Sequence, residues 1–274
     1  MVTPPLLEPV VDALQRSPHV HVLTLFGSHA RGAGDAQSDL DFQIITRRPE
    51  LFRNAEWLPS TTESHLAYGL RPAFGRVVKA TVVYPDAEVD LVVLPLARLR
   101  LARWVVRAGL HRRSPKLTRQ LGDLTIVLRP GFRVLKGGAV WSGFFERLLR
   151  EVPDPSLDNG AVQYLGDCAF ADFVSLERKV QRGELVAAQR WLHVHLVETH
   201  LKLLHEYRTR QGLRSYHDGR RIEQVLTAAE LELVRVEARP DADELLAAAR
   251  GAMRAIRHLV QELVGQQPRW PLPL

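Results

Sequence analysis

In the first half of the chain, hydrophobic and polar residues alternate over short segments, which is the period of a β-strand. Segment 19–26 (HVHVLTLF) and segment 39–46 (DLDFQIIT) are rich in β-branched and apolar residues, so each predicts a strand. In the second segment Leu40, Phe42 and Ile44 share one face, and this face is expected to be buried. The opposite face therefore carries the polar residues of that segment.

The same alternation predicts strands further along the chain. Segments 76–84 and 88–95, joined by a short Pro-Asp turn, predict a β-hairpin. Segment 124–135 predicts a second, smaller hairpin that turns at Arg129-Pro130-Gly131. These segments add to the first two strands, and together they predict a mixed β-sheet.

Helical spacing of apolar residues is found before and after these strands. Residues 5–15 predict an amphipathic helix, and residues 96–121 predict helix with a break at Ser114-Pro115. Beyond residue 138 the spacing is helical almost throughout, above all over residues 163–210. The second half of the chain is therefore expected to be all helical.

Length and this change of pattern together predict two domains. The chain has 274 residues, and roughly 150 residues per domain is a useful prior. The pattern changes at Gly137-Gly138, which places the expected boundary there. The predicted fold class is α+β: residues 1–137 form a mixed β-sheet flanked by helices, and residues 138–274 form a helical bundle.

Composition indicates an ordinary globular protein. Hydrophobic residues make up 46% and charged residues 25% of the chain, enough for a substantial core. The single cysteine, Cys168, excludes an internal disulfide and a metal site built from several cysteines. There is no basic and apolar start typical of a signal peptide, and no apolar run of roughly 20 residues that would span a bilayer. A cytoplasmic protein without membrane contact is expected.

The net charge of +6 does not by itself indicate a nucleic-acid partner. The arginines are scattered among acidic residues, and no basic tail or basic run interleaved with aromatic residues is present. No nucleic acid is therefore expected as a partner. A basic protein does attract anions, so a phosphorylated ligand remains compatible with this charge.

The polar face of segment 39–46 carries the first candidate chemistry. Asp39 and Asp41 share that face, and the returning strand of the first hairpin presents Glu88 and Asp90 on one of its own faces. Carboxylates close together repel each other, and a divalent cation offsets this cost. Mg²⁺ prefers such oxygen ligands together with substrate phosphates. The sequence therefore predicts a Mg²⁺ site, with Asp90 favoured over Glu88 as the third acid.

A Gly-Ser pair precedes these acids and predicts phosphate binding. Gly27 allows a close approach of the backbone, and Ser28 offers a hydroxyl as the cap of a helix whose free N–H groups attract anions. Arg31 is expected either to touch a triphosphate or to pair with Asp35. Lys179 is expected either to reach the phosphates from the helical half or to be an ordinary surface lysine.

This arrangement resembles a known signature. The spacing resembles the motif of the polymerase-β-type nucleotidyltransferase superfamily. Gly27 and Ser28 are followed by ten further residues and then by Asp39 and Asp41, which one residue separates. Asp90 matches the third acid of that family. The resemblance implies that residues 1–137 are a nucleotidyltransferase domain.

A longer resemblance covers most of the chain. Three segments are similar to the streptomycin (aminoglycoside 6-) adenylyltransferase branch. They are DFQIITRRPELFRNAEWL, the hairpin end EVDLVVLP and a later helical segment from Phe170 to Tyr207. Lys179, Arg182 and Glu184 loosely match a turn of that branch. The sequence departs from the branch at Cys168 and Phe170, where Trp is commoner, and at the loop His217-Asp218-Gly219-Arg220-Arg221, where a Gly-Lys-x-x-Lys loop is expected.

The resemblance implies an enzyme that moves AMP from ATP to a hydroxyl of a small molecule, such as the aminoglycoside streptomycin, with release of pyrophosphate. Asp39 and Asp41 would hold two Mg²⁺ ions, Asp90 would hold the catalytic one, and Asp90 or Glu88 would accept the proton of the hydroxyl. Two alternatives stay open: a catalytically silent nucleotide-binding or regulatory protein, and a transferase with a protein, RNA or other small-molecule acceptor. The oligomeric state is also open.

The implied acceptor is a hydroxylated cation, for which a site lined with carboxylates is expected. The helical half supplies such acids near its first helices, and Asp172 and Glu184 are predicted to contribute to acceptor binding. Asp167 and Glu177 are further candidates in the same region.

Overall fold

The computed structural model describes residues 8–270 except residues 33, 35–37, 59–64, 73–76, 86, 216–218 and 220. The chain forms two compact units, Met1–Pro155 and Ser156–Leu274. The boundary expected from sequence, between residues 137 and 138, lies before a helix that belongs to the first unit.

A six-stranded mixed sheet forms the centre of the first unit, as the sequence predicts. The spatial order of the strands is β3-β4-β5-β2-β1-β6. β2 and β5 run parallel, and every other neighbouring pair is antiparallel. The antiparallel pair of β4 and β5 confirms the first predicted hairpin. The strands are β1 (Val20–Phe26), β2 (Leu40–Thr46), β3 (Ala67–Pro72), β4 (Val78–Tyr84), β5 (Ala87–Pro95) and β6 (Phe132–Lys136).

Helices flank this sheet. Ser114 caps one of them by accepting a hydrogen bond from the Leu117 amide, and Pro115 occupies its first position, which confirms the predicted break. The helices of the first unit are α1 (Glu8–Arg16), α2 (Gly27–Ala30), α3 (Leu96–Arg107), α4 (Pro115–Leu128) and α5 (Ala139–Glu151).

The second predicted hairpin, over residues 124–135, is wrong. Its first arm continues α4, and only its second arm is a strand, β6. The β-branched residues of this segment favour a strand locally, but Leu121, Thr125 and Leu128 recur at helical spacing and are buried on one face of α4. Tertiary burial overrides the local preference here.

Both faces of the sheet are covered by a hydrophobic layer. Leu40, Phe42 and Ile44 of β2 pack in one layer with Val10 and Leu14 of α1, as the alternation of β2 predicts. The other layer contains Val22 of β1 and Ile45 of β2 together with residues of the helices α3, α4 and α5. The central strands are therefore held on both sides.

The regular elements described in the second unit are helices, as predicted. A helical stretch with π-type hydrogen bonds, Leu192–Val197, joins two of its helices directly. Gly166 allows a close approach of the first and last helices, since a Cβ there would lie 2.9 Å from a methyl of Val260. Within the described ranges, the helices are too short or too polar to span a membrane. The helices of this unit are α6 (Asn159–Gln181), α7 (Leu185–Trp191), α8 (Glu198–Arg210), α9 (Ala228–Val234) and α10 (Ala242–Val264).

Candidate functional site

Three carboxylates of the first unit come together at the adjoining ends of β2 and β5. One oxygen atom from each of Asp39, Asp41 and Asp90 lies within 4.8 Å of the others. The parallel register places Asp41 directly beside Asp90, and Asp39 precedes the first residue of β2. We call these three residues the carboxylate cluster. The alternation of segment 39–46 predicted the shared face of Asp39 and Asp41.

Asp90 is the most deeply buried member of the cluster, with 1% of its surface exposed. The Thr81 hydroxyl donates a hydrogen bond to its Oδ1 at 2.6 Å, and the Lys79 ammonium forms an ion pair with its Oδ2. Both partners lie on β4, and Thr81 is directly opposite Asp90 in the register. Each oxygen of this carboxylate therefore has a protein partner.

Sequence reasoning missed Lys79 and Thr81, although a signal for Thr81 was present. β4 ends at Tyr84 and β5 begins at Ala87, so the short Pro-Asp turn expected from the sequence between them sets the register of the hairpin. Counting back from that turn pairs Thr81 with Asp90. Alternation alone shows which residues share a face, and it does not show which residues lie opposite one another.

Gly27 lies against the cluster in a way that excludes a side chain. Its φ is +75°, and a Cβ added there would collide with the Asp41 carboxylate, whose Cγ would lie at only 3.1 Å. Phe26, the residue before it, pairs with Asp41 in the register of β1 and β2. The sequence predicts that Gly27 lets the backbone approach a phosphate closely. The neighbour that the structure shows at Gly27 is the Asp41 carboxylate.

Ser28 lies inside α2 and does not cap it, so the predicted capping role is wrong. The helix begins at Gly27, its N-cap is Phe26, and no side chain accepts a capping hydrogen bond. Ser28 is buried, and its hydroxyl has no hydrogen-bond partner within the described ranges. A buried polar group without a partner is costly. A ligand that supplied one would remove this cost.

His29 holds the segment that leads into β2. Its Nε2 lies 3.2 Å from the carbonyl oxygen of Ser38, which can only accept, so Nε2 carries the proton. Gly34 lies against the same ring, since a Cβ on Gly34 would come within 2.6 Å of Nδ1. The hydrogen bond places Ser38, the residue immediately before Asp39, beside α2. No pattern in the sequence indicates a role for His29 or Gly34.

Arg31 and Glu88 lie outside the group of three acids. Arg31 is exposed at the end of α2, and its stem packs against Gly131, where a Cβ would lie 2.7 Å from the Cγ of Arg31. Asp35, its alternative partner, is outside the described residues. Glu88 is exposed near the start of β5, two residues before Asp90.

The cluster fits a divalent cation. Carboxylate oxygens are the ligands that Mg²⁺ prefers, and three of them converge here from one face of the sheet. The Lys79 ammonium forms an ion pair with the cluster at Asp90. Asp39, Asp41 and Asp90 would hold the metal.

The remaining predicted residues lie in the second unit. The Lys179 ammonium lies 4.6 Å from the centroid of the Trp191 ring and 4.0 Å from Glu184. Arg182 donates two hydrogen bonds to Glu184, at 2.8 and 3.2 Å, and these hydrogen bonds lower the pKa of this exposed carboxyl group. Asp172 lies 3.7 Å from the Nδ1 of His195, which is in the stretch with π-type hydrogen bonds.

Comparison with known proteins locates a family match in the first unit. Residues 8–74 match the model of the nucleotidyltransferase domain, a range that includes Gly27, Ser28, Asp39 and Asp41 and ends before Asp90. Among curated proteins, none matches this sequence.

Two solved structures are similar to this chain at low identity. The first is an aminoglycoside 6-adenyltransferase from Bacillus subtilis, with 12% identity, a TM-score of 0.40, and coverage of 93% of this chain and 87% of that one. The second is a nucleotidyltransferase-like protein from Exiguobacterium sibiricum, with 12% identity, a TM-score of 0.33, and coverage of 93% and 73%.

Proposed function

We propose that this chain, whose residues 8–74 carry a nucleotidyltransferase domain, is a Mg²⁺-dependent enzyme that moves AMP from ATP to a hydroxyl of a small molecule. The carboxylate cluster is the observation that carries this proposal. Three acids brought within 4.8 Å repel one another and weaken the fold, so a purely structural role does not account for them. A cation site for phosphoryl-group chemistry does account for them.

Each residue of the site has a role in this proposal. Asp39 and Asp41 would hold two Mg²⁺ ions, and Asp90 would hold the catalytic one. Bound Mg²⁺ would neutralise the phosphates and make the acceptor hydroxyl easier to deprotonate. The buried hydroxyl of Ser28 donates to a phosphate oxygen, and Arg31 at the exposed end of α2 meets the triphosphate.

The transfer itself is a substitution at the α-phosphorus. The oxygen of the acceptor hydroxyl forms a bond to that phosphorus, the bond to pyrophosphate breaks, and the hydroxyl proton passes to a carboxylate. Asp90 and Glu88 are the two candidates for that carboxylate. Both oxygens of Asp90 already have partners in Thr81 and Lys79, whereas Glu88 is exposed, so we favour Glu88 as the proton acceptor.

The acceptor in this proposal is an aminoglycoside such as streptomycin, or another hydroxylated cation. Its support is the resemblance of segments in both halves of the chain to the streptomycin adenylyltransferase branch. Asp172 is the stronger acceptor candidate, because its neighbour is a histidine at 3.7 Å, whereas Glu184 already accepts two hydrogen bonds from Arg182. Lys179 as a phosphate contact is also part of the proposal, and its present neighbours are Trp191 and Glu184.

The test is incubation of the protein with ATP, Mg²⁺ and a panel of amino-sugars, with mass spectrometry of the acceptor and measurement of pyrophosphate release. We expect one AMP to be added to a member of the panel. Asp39→Asn and Asp41→Asn should each reduce the rate below about a hundredth of the wild-type rate while the far-UV circular dichroism stays unchanged. Glu88→Gln should lower turnover with little effect on ATP binding.

The outcomes separate the alternatives. Tight ATP binding without transfer to any hydroxyl would favour the silent nucleotide-binding protein. Transfer to an acceptor outside the amino-sugars would keep the nucleotidyltransferase and reject the aminoglycoside. Full activity of Asp39→Asn would contradict the metal role of the cluster.

A further inference from the structure

We propose that Lys79 is a resident counter-cation of the carboxylate cluster, which binds Asp90 in the metal-free protein and has to leave it before a divalent ion can bind there. This inference rests on the proposed metal site and goes beyond it, because it concerns a residue that is not a metal ligand. In the metal-free protein, the Lys79 ammonium prevents a divalent ion from binding at Asp90.

The contacts of Asp90 carry the first step. Its Oδ1 accepts the hydrogen bond of Thr81, and its Oδ2 is paired with the Lys79 ammonium. A divalent ion that used this carboxylate would lie next to the ammonium, and two positive charges at such a distance repel each other strongly in a site shielded from water. The ion and the ammonium therefore compete for Asp90.

The second step is that Lys79 is able to leave. Its side chain is 34% exposed, whereas that of Asp90 is 2% exposed, so the ion pair joins a partly solvated ammonium to a buried carboxylate. A lysine has a long flexible stem, and its ammonium is readily hydrated. When it moves out, Thr81 still holds the orientation of Asp90 through the hydrogen bond to Oδ1.

The charge balance at Asp90 gives the third step. The Lys79 ammonium balances the charge of this carboxylate in the metal-free protein. A divalent ion that joined the ammonium there would add two positive charges to a carboxylate whose charge is already balanced. A bound triphosphate would offer the displaced ammonium new anionic partners, so loading of the ion at Asp90 should be coupled to nucleotide binding.

The experiment measures Mn²⁺ binding to the full chain without nucleotide, by calorimetry, for the wild type and three variants. Lys79→Gln removes the charge, and Lys79→Arg retains it. Lys202→Gln is the matched control, because Lys202 is an exposed lysine that pairs with Glu198 on a helix of the second unit. We expect Lys79→Gln to bind Mn²⁺ at least about tenfold more tightly than the wild type, and the other two variants to bind as the wild type does.

Thermal unfolding supplies a second readout. Without metal, Lys79→Gln should unfold at a lower temperature than the wild type, because Asp90 loses its counter-cation. Added Mn²⁺ should raise the unfolding temperature of Lys79→Gln more than that of the wild type. If Lys79→Gln is unfolded without metal, refolding on addition of Mn²⁺ is the expected result.

Three outcomes overturn the inference, and they separate it from the proposed function. If wild type and Lys79→Gln bind Mn²⁺ equally, and Asp39→Asn abolishes binding, the metal site stands and the role of Lys79 is rejected. Weaker Mn²⁺ binding by Lys79→Gln also rejects it. If no Mn²⁺ binds to any of the proteins, the proposed metal site fails and the inference fails with it.

Discussion

At the scale of single residues, Gly27 determines how closely β1 and the Asp41 carboxylate approach. A side chain at this position would occupy the space of that carboxylate, and the backbone conformation there, with φ at +75°, disfavours any residue with a Cβ. The position therefore carries two separate requirements, one for the backbone and one for space. A glycine with a similar φ but without a crowded neighbour distinguishes the backbone requirement from the space requirement.

Gly27→Ala should displace the Asp41 carboxylate and weaken Mn²⁺ binding by more than about tenfold, since a misplaced ligand loses its contact with the ion. Gly32→Ala is the control, because Gly32 has a φ of +71° and, among the residues that the structure describes, no atom lies within 4 Å of its added Cβ. Both variants should lose about 1 kcal/mol of stability from the backbone strain. Equal Mn²⁺ affinity in the two variants would contradict the role assigned to Gly27.

At the scale of elements, the β4–β5 hairpin brings the two partners of Asp90 into place. Thr81 lies opposite Asp90, and its hydroxyl is the donor to a buried charge. A hydrogen bond to a buried carboxylate is worth more than one between neutral groups. Thr24 on β1 offers a contrast, because its buried hydroxyl has no partner within the described part of the chain.

Thr81→Val should lower the free energy of unfolding by roughly 1–3 kcal/mol, because Asp90 loses a hydrogen bond that nothing else replaces. Thr24→Val should be neutral or slightly stabilising, since it removes a hydroxyl that is buried without a partner. Urea unfolding of both variants measures the difference. A similar loss in the two variants would mean that the hydrogen bond of Thr81 contributes little.

The sequence predicted the strands of the site better than their surroundings. The alternation of β2 is clean, because one face carries Leu40, Phe42 and Ile44 and the other begins with two acids, so its prediction was confirmed. The prediction for segment 124–135 failed because Leu121, Thr125 and Leu128 are buried on one face of α4. That burial depends on packing partners that a local pattern does not contain. Lys79 was missed for a related reason, since its contact with Asp90 crosses between two strands.

At the scale of the whole molecule, each unit has a hydrophobic core of its own. Phe144, Phe145 and Leu148 of α5 belong to the core of the first unit and are almost completely buried there. The core of the second unit is built from its own helices, with α6 and α10 packed against each other. The division between the units is therefore expected to lie after α5.

A fragment of residues 1–155 should fold cooperatively, and a fragment of residues 1–137 should not. The shorter fragment lacks α5, and the loss of even one buried Phe costs about 3–5 kcal/mol, a large share of the stability of a domain. Circular dichroism and urea unfolding of the two fragments check this. Cooperative folding of the shorter fragment would support the boundary at 137 and 138.

The second unit should lose stability in mild acid because of His200. Burial lowers the pKa of His200 from its ordinary 6.5 to about 4, so the unfolded chain binds more protons between these pH values. Its contribution to stability is complete above pH 7 and is lost as the pH falls from 6.5 to about 4, by up to about 3 kcal/mol at 1.36 kcal/mol per pKa unit.

Urea unfolding between pH 4.5 and 7 tests this. His200→Gln should have a shallower pH dependence than the wild type, whereas His193→Gln, at an exposed position, should follow the wild type. An unchanged slope in His200→Gln would assign the acid sensitivity to other groups.

The pairing of the strands also has a consequence for the order in which the site assembles during folding. β1 pairs with β2 and β4 pairs with β5 as close neighbours in sequence, whereas the parallel pairing of β2 with β5 joins segments separated by residues 47–86. Local pairing closes shorter loops and is faster. Asp90 therefore meets Lys79 and Thr81 within its own hairpin. Asp41 reaches Asp90 afterwards, when the Lys79 ammonium has already neutralised the charge of Asp90.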